Sequence, residues 1–157
     1  MQEWPHARLV AIVADTHGLV RQSVLSALGH VDLILHAGDV GHLRVLDQLR
    51  RYAPVVAIRG NVDTETLSLP ATDLVSVKGR LVYLLHSLAD LDLNPAVAGF
   101  SMVISGHSHK PLIRNKEGVL YVNPGSIGPR RFKLPISFAL ADFGAEQIVV
   151  KLKELAE

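Results

Sequence analysis

Residues 9–58 alternate short apolar runs with amphipathic stretches, and that alternation restricts the fold more than any other feature. Leu9-Val10-Ala11-Ile12-Val13-Ala14 is apolar throughout, as a strand covered on both faces would be. Val20 to Leu28 carries apolar residues at 20, 24, 25 and 28 and ends at Gly29, the spacing and stop signal of an amphipathic helix. A second strand is predicted over Val31 to Leu35. A second helix follows over Leu43 to Tyr52, with its stripe at 43, 46 and 49, and a third strand over Pro54 to Ile58. A βαβαβ order requires a parallel sheet joined by right-handed crossovers.

The second half has a different texture. Asp73 to Val77 and Arg80 to Leu85 flank Lys78-Gly79, a hairpin signal. Ser101 to Ser105 reads as a buried strand. Leu112 to Arg114 and Val119 to Val122 flank Asn115-Lys116-Glu117-Gly118, and Ile136 to Asp142 and Gln147 to Leu152 flank Phe143 to Glu146. Strands crowd and helices thin out. The expected architecture is α/β, a four-layer α-β-β-α sandwich of two mixed sheets flanked by helices, in one domain over residues 1–157.

Composition removes several functional classes. The 157 residues contain no Cys, which excludes disulfides, thiolate metal sites and a Cys nucleophile. Any transition-metal site must use His, Asp, Glu or Asn. The formal net charge is +1, without the global basic field of a dedicated nucleic-acid binder. The first apolar run is too short for a signal-peptide core, and no stretch approaches the ~20 apolar residues of a membrane span. A cytoplasmic protein that does not engage membranes is the expectation.

The polar residues that interrupt these runs stand just beyond the strands. Asp15 and His17 follow the first, Asp39 the second and Asn61 the third. His86 follows the Arg80 strand, and His107 and His109 follow the Ser101 strand. In open α/β sheets the loops at the carboxyl ends of strands converge on ligands. Gly18, Gly38, Gly60 and Gly106 mark the same turns, where a missing Cβ permits unusual backbone conformations and close approach. Oxygen plus imidazole donors suit Mn, Fe, Ni, Co or Zn. Seven candidates exceed one tetrahedral site and suit two ions about 3.5–4 Å apart, bridged by a carboxylate.

Asp15-Thr16-His17-Gly18, Gly38-Asp39, Gly60-Asn61, His86 and Gly106-His107-Ser108-His109 resemble the ordered D-x-H, G-D, G-N, H and G-H-x-H blocks of the calcineurin-like metallophosphoesterases. The resemblance spans roughly residues 8 to 152. His36-Ala37-Gly38-Asp39, Gly60-Asn61-Val62-Asp63 and Asn123-Pro124-Gly125-Ser126 are similar to its small YfcE-type phosphodiesterase branch, which the retromer scaffold subunit shares. The resemblance implies one ion held by Asp15, His17, Asp39 and His109. It implies a second held by Asp39, Asn61, His86 and His107, with Asp39 bridging and Mn the first expectation. Asp39, Asn61 and His86 take the catalytic roles. The implied reaction is in-line attack of a bridging hydroxide on a phosphoester, a diester foremost.

Larger family members carry His after the G-N Asn; here Val62 stands there. The acid for the leaving group is then unassigned, with Asp63 and His36 as candidates, and good leaving groups should be favoured. His36 otherwise reads as a buried structural residue, and His6, His30 and His42 as surface or cap residues. The Asn123 to Ser126 turn is expected under or beside the site. In the basic cluster, Arg130 is the candidate for substrate phosphate, while Arg131 and Lys133 read as solvated. The substrate is expected to be a small phosphoester, with a homo-oligomer left open. Two rivals stand beside this reading: a non-catalytic interaction scaffold on the same fold, and a nuclease of the same chemistry. The second ranks lower because aromatic residues make up only 5% of the chain.

Overall fold

A computed structural model describes residues 1–156. The strands are β1 (Gln2–Trp4), β2 (Leu9–Val13), β3 (Leu33–His36), β4 (Val55–Ala57), β5 (Thr72–Val77), β6 (Arg80–Leu85), β7 (Met102–Ile104), β8 (Leu112–Lys116), β9 (Val119–Asn123), β10 (Ile136–Asp142) and β11 (Val149–Leu155). Among the described residues the α-helices are α1 (Gln22–Leu28) and α2 (Leu43–Arg50), with 3-10 turns at Glu65–Leu67 and Leu88–Asp90.

The strands form two mixed sheets, ordered β11-β10-β2-β3-β4 and β1-β5-β6-β7-β9-β8. Pairing is parallel along β2-β3-β4 and along β6-β7-β9, so the carboxyl ends within each run point one way. The α/β reading holds. Val10, Ile12, Leu33, Leu35 and Val56 of one sheet meet Val75, Val82, Leu84, Met102 and Ile104 of the other in the central core. Both faces of β2 are covered, because Ala11 and Val13 pack outward against Val24, Leu25, Leu28, Val45, Leu46 and Leu49 of the helices. That two-sided burial is why this strand is apolar without alternation.

Local differences from the sequence reading have physical causes. In α2 the buried stripe is Val45, Leu46 and Leu49, while Leu43 is exposed. A spacing of three alone drifts round the helix, leaving Leu43 roughly 120° from Leu49 at about 100° per residue. The β8–β9 hairpin turns on Glu117-Gly118 alone, both left-handed at φ 54° and 80°. Asn115 and Lys116 belong to the edge strand β8, whose exposed side tolerates polar residues. Lys78 and Gly79 are likewise left-handed, the backbone of a two-residue hairpin turn. β11 runs to Leu155, paired residue for residue with β10 from Asp142↔Val149 to Ile136↔Leu155. β1, too short to show a period in the sequence, adds in parallel to β5.

The outer layer on the six-stranded sheet is thin. There Leu85, Val103 and Val119 are buried beneath Leu91 and Ala96 of the 88–100 segment, with Tyr83 and Phe100 stacked at 5.2 Å between ring centroids. No helix among the described residues is long and apolar enough to cross a membrane.

Backbone hydrogen bonds carry the parallel ladders past the strand ends. Asp15, His17 and Gly18 N–H groups donate to Gly38, Asp39 and Val40 carbonyls at 3.0, 2.9 and 2.8 Å, and Gly106 N–H donates to His86 O at 2.9 Å. The candidate ligand loops are thereby held by the sheets and do not float free.

Candidate metal centre

Five of the seven residues singled out at the strand ends adopt left-handed backbone: Asp15 (φ 57°), His17 (47°), Asp39 (55°), His107 (70°) and His109 (62°). For residues with a Cβ this costs on the order of 1–3 kcal/mol each and persists only where surrounding structure imposes it. In Asp15/His17 and His107/His109 it turns both members of an i, i+2 pair inward from one tight loop.

Two clusters result. The donor atoms of Asp15, His17 and His109 lie within 4.8 Å of one another, as do those of Asp39, His86 and His107. In the first, Asp15 Oδ1 stands 3.9 Å from His17 Nε2 and 3.6 Å from His109 Nε2. Asp39 Oδ2 lies between the clusters, 3.7 Å from His17 Nε2 and 3.1 Å from His86 Nε2. Two donors about 2.1 Å from a common ion stand roughly 3–3.5 Å apart, so the 3.1 Å pair already matches a shared cation and the pairs at 3.6 to 3.9 Å would close by a few tenths of an ångström around one. The ring centroids of His17 and His109 are 5.4 Å apart, those of His86 and His107 5.2 Å.

The fit to a cation rests on orphaned atoms. Asp15 Oδ1, His17 Nε2 and His109 Nε2 are buried and make no hydrogen bond. A buried acceptor without a partner costs about 1–3 kcal/mol, and three such atoms converging on one point are what a cation would satisfy. Asn61 adds a parallel observation in the second cluster. The terminal amide atom facing the site lies 3.1 Å from His86 Nε2 and 3.1 Å from Asp39 Oδ2. With nitrogen turned inward it donates to Asp39 Oδ2. With oxygen inward, acceptors crowd a single point, an arrangement a cation would also settle.

The electrostatics differ between the clusters. Burial, with Asp39 as a like-charged neighbour, pushes the Asp15 carboxyl up to about 7 even though His86 pulls it down. Burial also acts against the Asp39 carboxylate, but hydrogen bonds from His86 and the Val62 amide outweigh it, bringing it down to about 2. Desolvation and the Arg131 charge lower His109 to about 4. His86 is driven down by burial and more strongly up by its hydrogen bonds to Asp39 and the Ala37 carbonyl. Its Nδ1 lies 2.8 Å from Ala37 O, which can accept but not donate, so Nδ1 carries the proton and Nε2 is the atom aimed at Asp39.

The glycines serve different ends. Gly18 and Gly38 are left-handed at φ 83° and 98°. Gly60 and Gly106 are needed for space. A Cβ at Gly60 would stand 2.1 Å from Asp39 Oδ1, and one at Gly106 would stand 2.9 Å from Asp15 Oδ2.

Several polar residues brace the loops. His36 is fully buried, its Nδ1 accepting from Gly38 N–H at 3.1 Å and its Nε2 lying 3.0 Å from Thr16 Oγ1; desolvation lowers it to about 4. Asp63 accepts from the amides of Val40, Gly41 and Gly60 at 3.0, 2.9 and 2.9 Å. Both are engaged in bracing the loops through these hydrogen bonds. His42 caps α2, accepting from Arg44 N–H at 3.1 Å. The Asn123–Ser126 turn is a clamp. Asn123 Nδ2 donates to Gly106 O at 2.9 Å and Ser108 Oγ at 3.1 Å, and Ser126 Oγ donates to Asp15 O at 3.0 Å. Arg130 and Arg131 are both exposed, and the Arg131 charge acts on Asp15 and His109.

Two clefts meet at His107. One of about 460 Å³ is walled by Leu88, Ala89, Pro111, Leu112 and Tyr121. The other, about 370 Å³, is lined by Arg59, Asn61, Thr72, His86 and Asp90.

Comparison with known proteins gives a consistent result. The family model described as the calcineurin-like phosphoesterase superfamily domain matches residues 9–146. A probable metallophosphoesterase of Methanocaldococcus jannaschii is 34% identical over 131 residues, which cover 75% of this chain and 67% of that protein. Phosphodiesterase YfcE of Escherichia coli is 28% identical over 108 residues, 63% of this chain and 59% of its own. The crystal structure of wild-type Vps29 complexed with zinc from Entamoeba histolytica superimposes with a TM-score of 0.76 at 21% identity, covering 94% of this chain and 98% of that one; at that identity the likeness is one of fold.

Proposed function

We propose, from the premise that this chain belongs to the calcineurin-like phosphoesterase superfamily, that it is a phosphodiesterase built as one domain and dependent on two divalent transition-metal ions. The observation that carries this reading is the convergence of orphaned donors Asp15 Oδ1, His17 Nε2 and His109 Nε2 beside the Asp39, His86 and His107 group. Mn is the first metal to test, ahead of Fe, Co, Ni and Zn, for a donor set of imidazole and oxygen.

Asp15, His17 and His109 would hold one ion and Asn61, His86 and His107 the other, with Asp39 shared, since its Oδ2 stands between His17 and His86. When bound, such ions act as Lewis acids, lowering the pKa of water toward neutrality and offsetting charge on phosphoryl oxygens. The protein's own contribution is placement. His86 presents Nε2 because Nδ1 donates to Ala37 O, and the Val62 N–H donates to Asp39 Oδ1 at 3.0 Å, fixing the carboxylate's rotation. Water adds to phosphorus as the P–O bond to the leaving group breaks. The clefts on either side of His107 suit the two arms of a diester. Val62, 48% exposed where larger relatives carry His, offers no proton to the departing oxygen. Aryl diesters should therefore turn over at least about tenfold faster than simple alkyl diesters, from the loss of general-acid assistance; equal rates would remove that inference. The scaffold reading gains nothing from the cluster, which keeps a metal-capable donor at each of its seven positions.

Metal analysis of purified protein, paired with a metal-supplemented phosphodiester panel, tests the proposal. Asp39→Asn should lower metal content and cut turnover by more than about 100-fold, beyond the range of losing a supporting residue. If that variant binds two metals and hydrolyses substrate as wild type does, the reading fails.

A further inference from the structure

Gly128, Pro129 and the basic loop that follows leave the metal centre in a fixed direction. A Cβ at Gly128 would stand 2.2 Å from the Asp15 carbonyl oxygen. Its N–H donates to Ser126 Oγ at 3.1 Å, and Arg21 donates to its carbonyl at 3.0 Å. The loop thus departs from a base clamped directly onto the Asp15 backbone. Three residues later the chain makes a turn from Arg131 to Leu134, closed by the Leu134 N–H donating to Arg131 O at 3.1 Å. At its second position Phe132 is left-handed at φ 53° and 89% exposed. A bulky side chain with positive φ is a genuine outlier, and such outliers gather at binding sites. An aromatic ring held in water by strained backbone makes no folding sense.

Its surroundings point to what covers it. Phe132 lines an open cleft of about 770 Å³ with Ser108, Lys110, Arg131, Lys133 and Leu134, a size suited to one small ligand. No acidic side chain lines that cleft, and Ser108 stands between the two histidines of the Gly106–His109 loop. Ser108 and Lys110 also line the cleft of about 460 Å³ that reaches His107, so the two clefts adjoin beside the candidate metal centre. A ring flanked by cations is the arrangement that stacks a nucleobase and holds its phosphate. The net charge of +1 argues for a nucleotide over a long polyanion.

Building on the phosphodiesterase reading, we propose that Lys110 and the Arg131–Leu134 turn form a nucleotide subsite, so that the diester cut at the metal centre carries a nucleoside whose base stacks on Phe132. The test uses the full chain loaded with Mn and two esters that release the same nitrophenolate, p-nitrophenyl thymidine 5′-phosphate and methyl p-nitrophenyl phosphate. In each, water adds to phosphorus and the P–O bond to nitrophenolate breaks with its electron pair. The kcat/KM ratio should favour the thymidine ester, Phe132→Ala should lower that ratio by about five- to hundredfold, and Phe132→Trp should keep it, given the strength of base–aromatic stacking. Calorimetry with thymidine 5′-phosphate and methyl phosphate supplies an independent readout. If both esters are cut with a ratio that Phe132→Ala leaves unchanged, the subsite is overturned while the phosphodiesterase reading stands. If neither ester is cut but thymidine 5′-phosphate binds more tightly than methyl phosphate, and Phe132→Ala abolishes the difference, the subsite stands and the catalytic reading falls.

Discussion

The two halves of the candidate metal centre are built on opposite principles. Around Asp15 the protein buries acceptors and leaves them without partners: Asp15 Oδ1, His17 Nε2 and His109 Nε2 make no hydrogen bond, and the carboxyl is pushed up to about 7, first by burial. Around Asp39 the protein supplies partners itself. His86 lies 3.1 Å away and the Val62 amide 3.0 Å away, and despite burial the carboxyl is brought down to about 2. One half has donors that a cation would satisfy; the other is preorganised by its neighbours. The proposed dinuclear centre would thus be assembled around one pre-set carboxylate and one that a metal would relieve.

The broadest test of that contrast is metal loading. At a free metal concentration about a thousand times Kd, binding to the native state should add roughly 4 kcal/mol. In a chain of 157 residues this raises Tm by about 8–16 °C. Differential scanning calorimetry before and after chelation checks it, and an unchanged Tm would remove the idea that the Asp15 half depends on a cation.

Smaller, but of opposite sign in the two halves, are the effects of neutralising each carboxylate in chelated protein. Asp15 has a native pKa of about 7 against an ordinary 3.8. The native state therefore keeps a proton that the unfolded chain loses, and stability falls as pH rises from about 4 to 7. Asp15→Asn should stabilise the chelated protein at pH 7 by about 2 kcal/mol, taking part of the ~1.4 kcal/mol per pKa unit. Asp39 is lowered from 3.8 to about 2, so its contribution is present above the unfolded pKa and disappears as pH falls through 2. Asp39→Asn should cost about 2 kcal/mol at pH 7 by the same conversion. Urea unfolding of both variants across pH 3–8 would show the opposite signs; equal signs would dissolve the contrast.

The smallest effect tests the clamp shared by both halves. Asn123→Ala removes the donor to Gly106 O and Ser108 Oγ. It should cost about 1 kcal/mol of stability, the usual net worth of such hydrogen bonds. Metal affinity should fall by about tenfold or more, as when a ligand-supporting residue is lost. Loss of stability with metal affinity intact would assign the turn to the fold alone.

Much of the fold was legible because its signals are local. The unbroken apolar run of β2, the glycine stop after α1 and the Lys78-Gly79 turn each state their structure in adjacent residues. The candidate ligands were legible as polar residues interrupting apolar runs just past the strands. What stayed hidden is non-local or conformational. β1 is three residues long and pairs with a strand some seventy positions away, as Gln2↔Val75 records. The left-handed backbone of Asp15, His17, Asp39, His107 and His109 runs against residue preference, and cross-loop hydrogen bonds hold the first four of them in place. Asp63 read as a candidate acid because a sequence does not show that three amides already occupy its oxygens. Arg131 read as solvated and is exposed; what the sequence did not show is the clamp that ties Gly128, at the base of its loop, to the Asp15 backbone.

That clamp also sets the order in which the molecule can be completed. Ser126 Oγ reaches the Asp15 carbonyl across 111 residues, and the His107 N–H reaches Asp15 Oδ2 across 92. During synthesis from the amino terminus, Asp15 and His17 emerge long before the residues that lock them. Loops of that length close late in folding, after the local strands and helices have formed. Under the proposed metal chemistry, the choice of ion would therefore fall to a nearly finished chain, whose cavity already has its shape, and not to a nascent one offering loose aspartate and histidine to whichever ion arrives first.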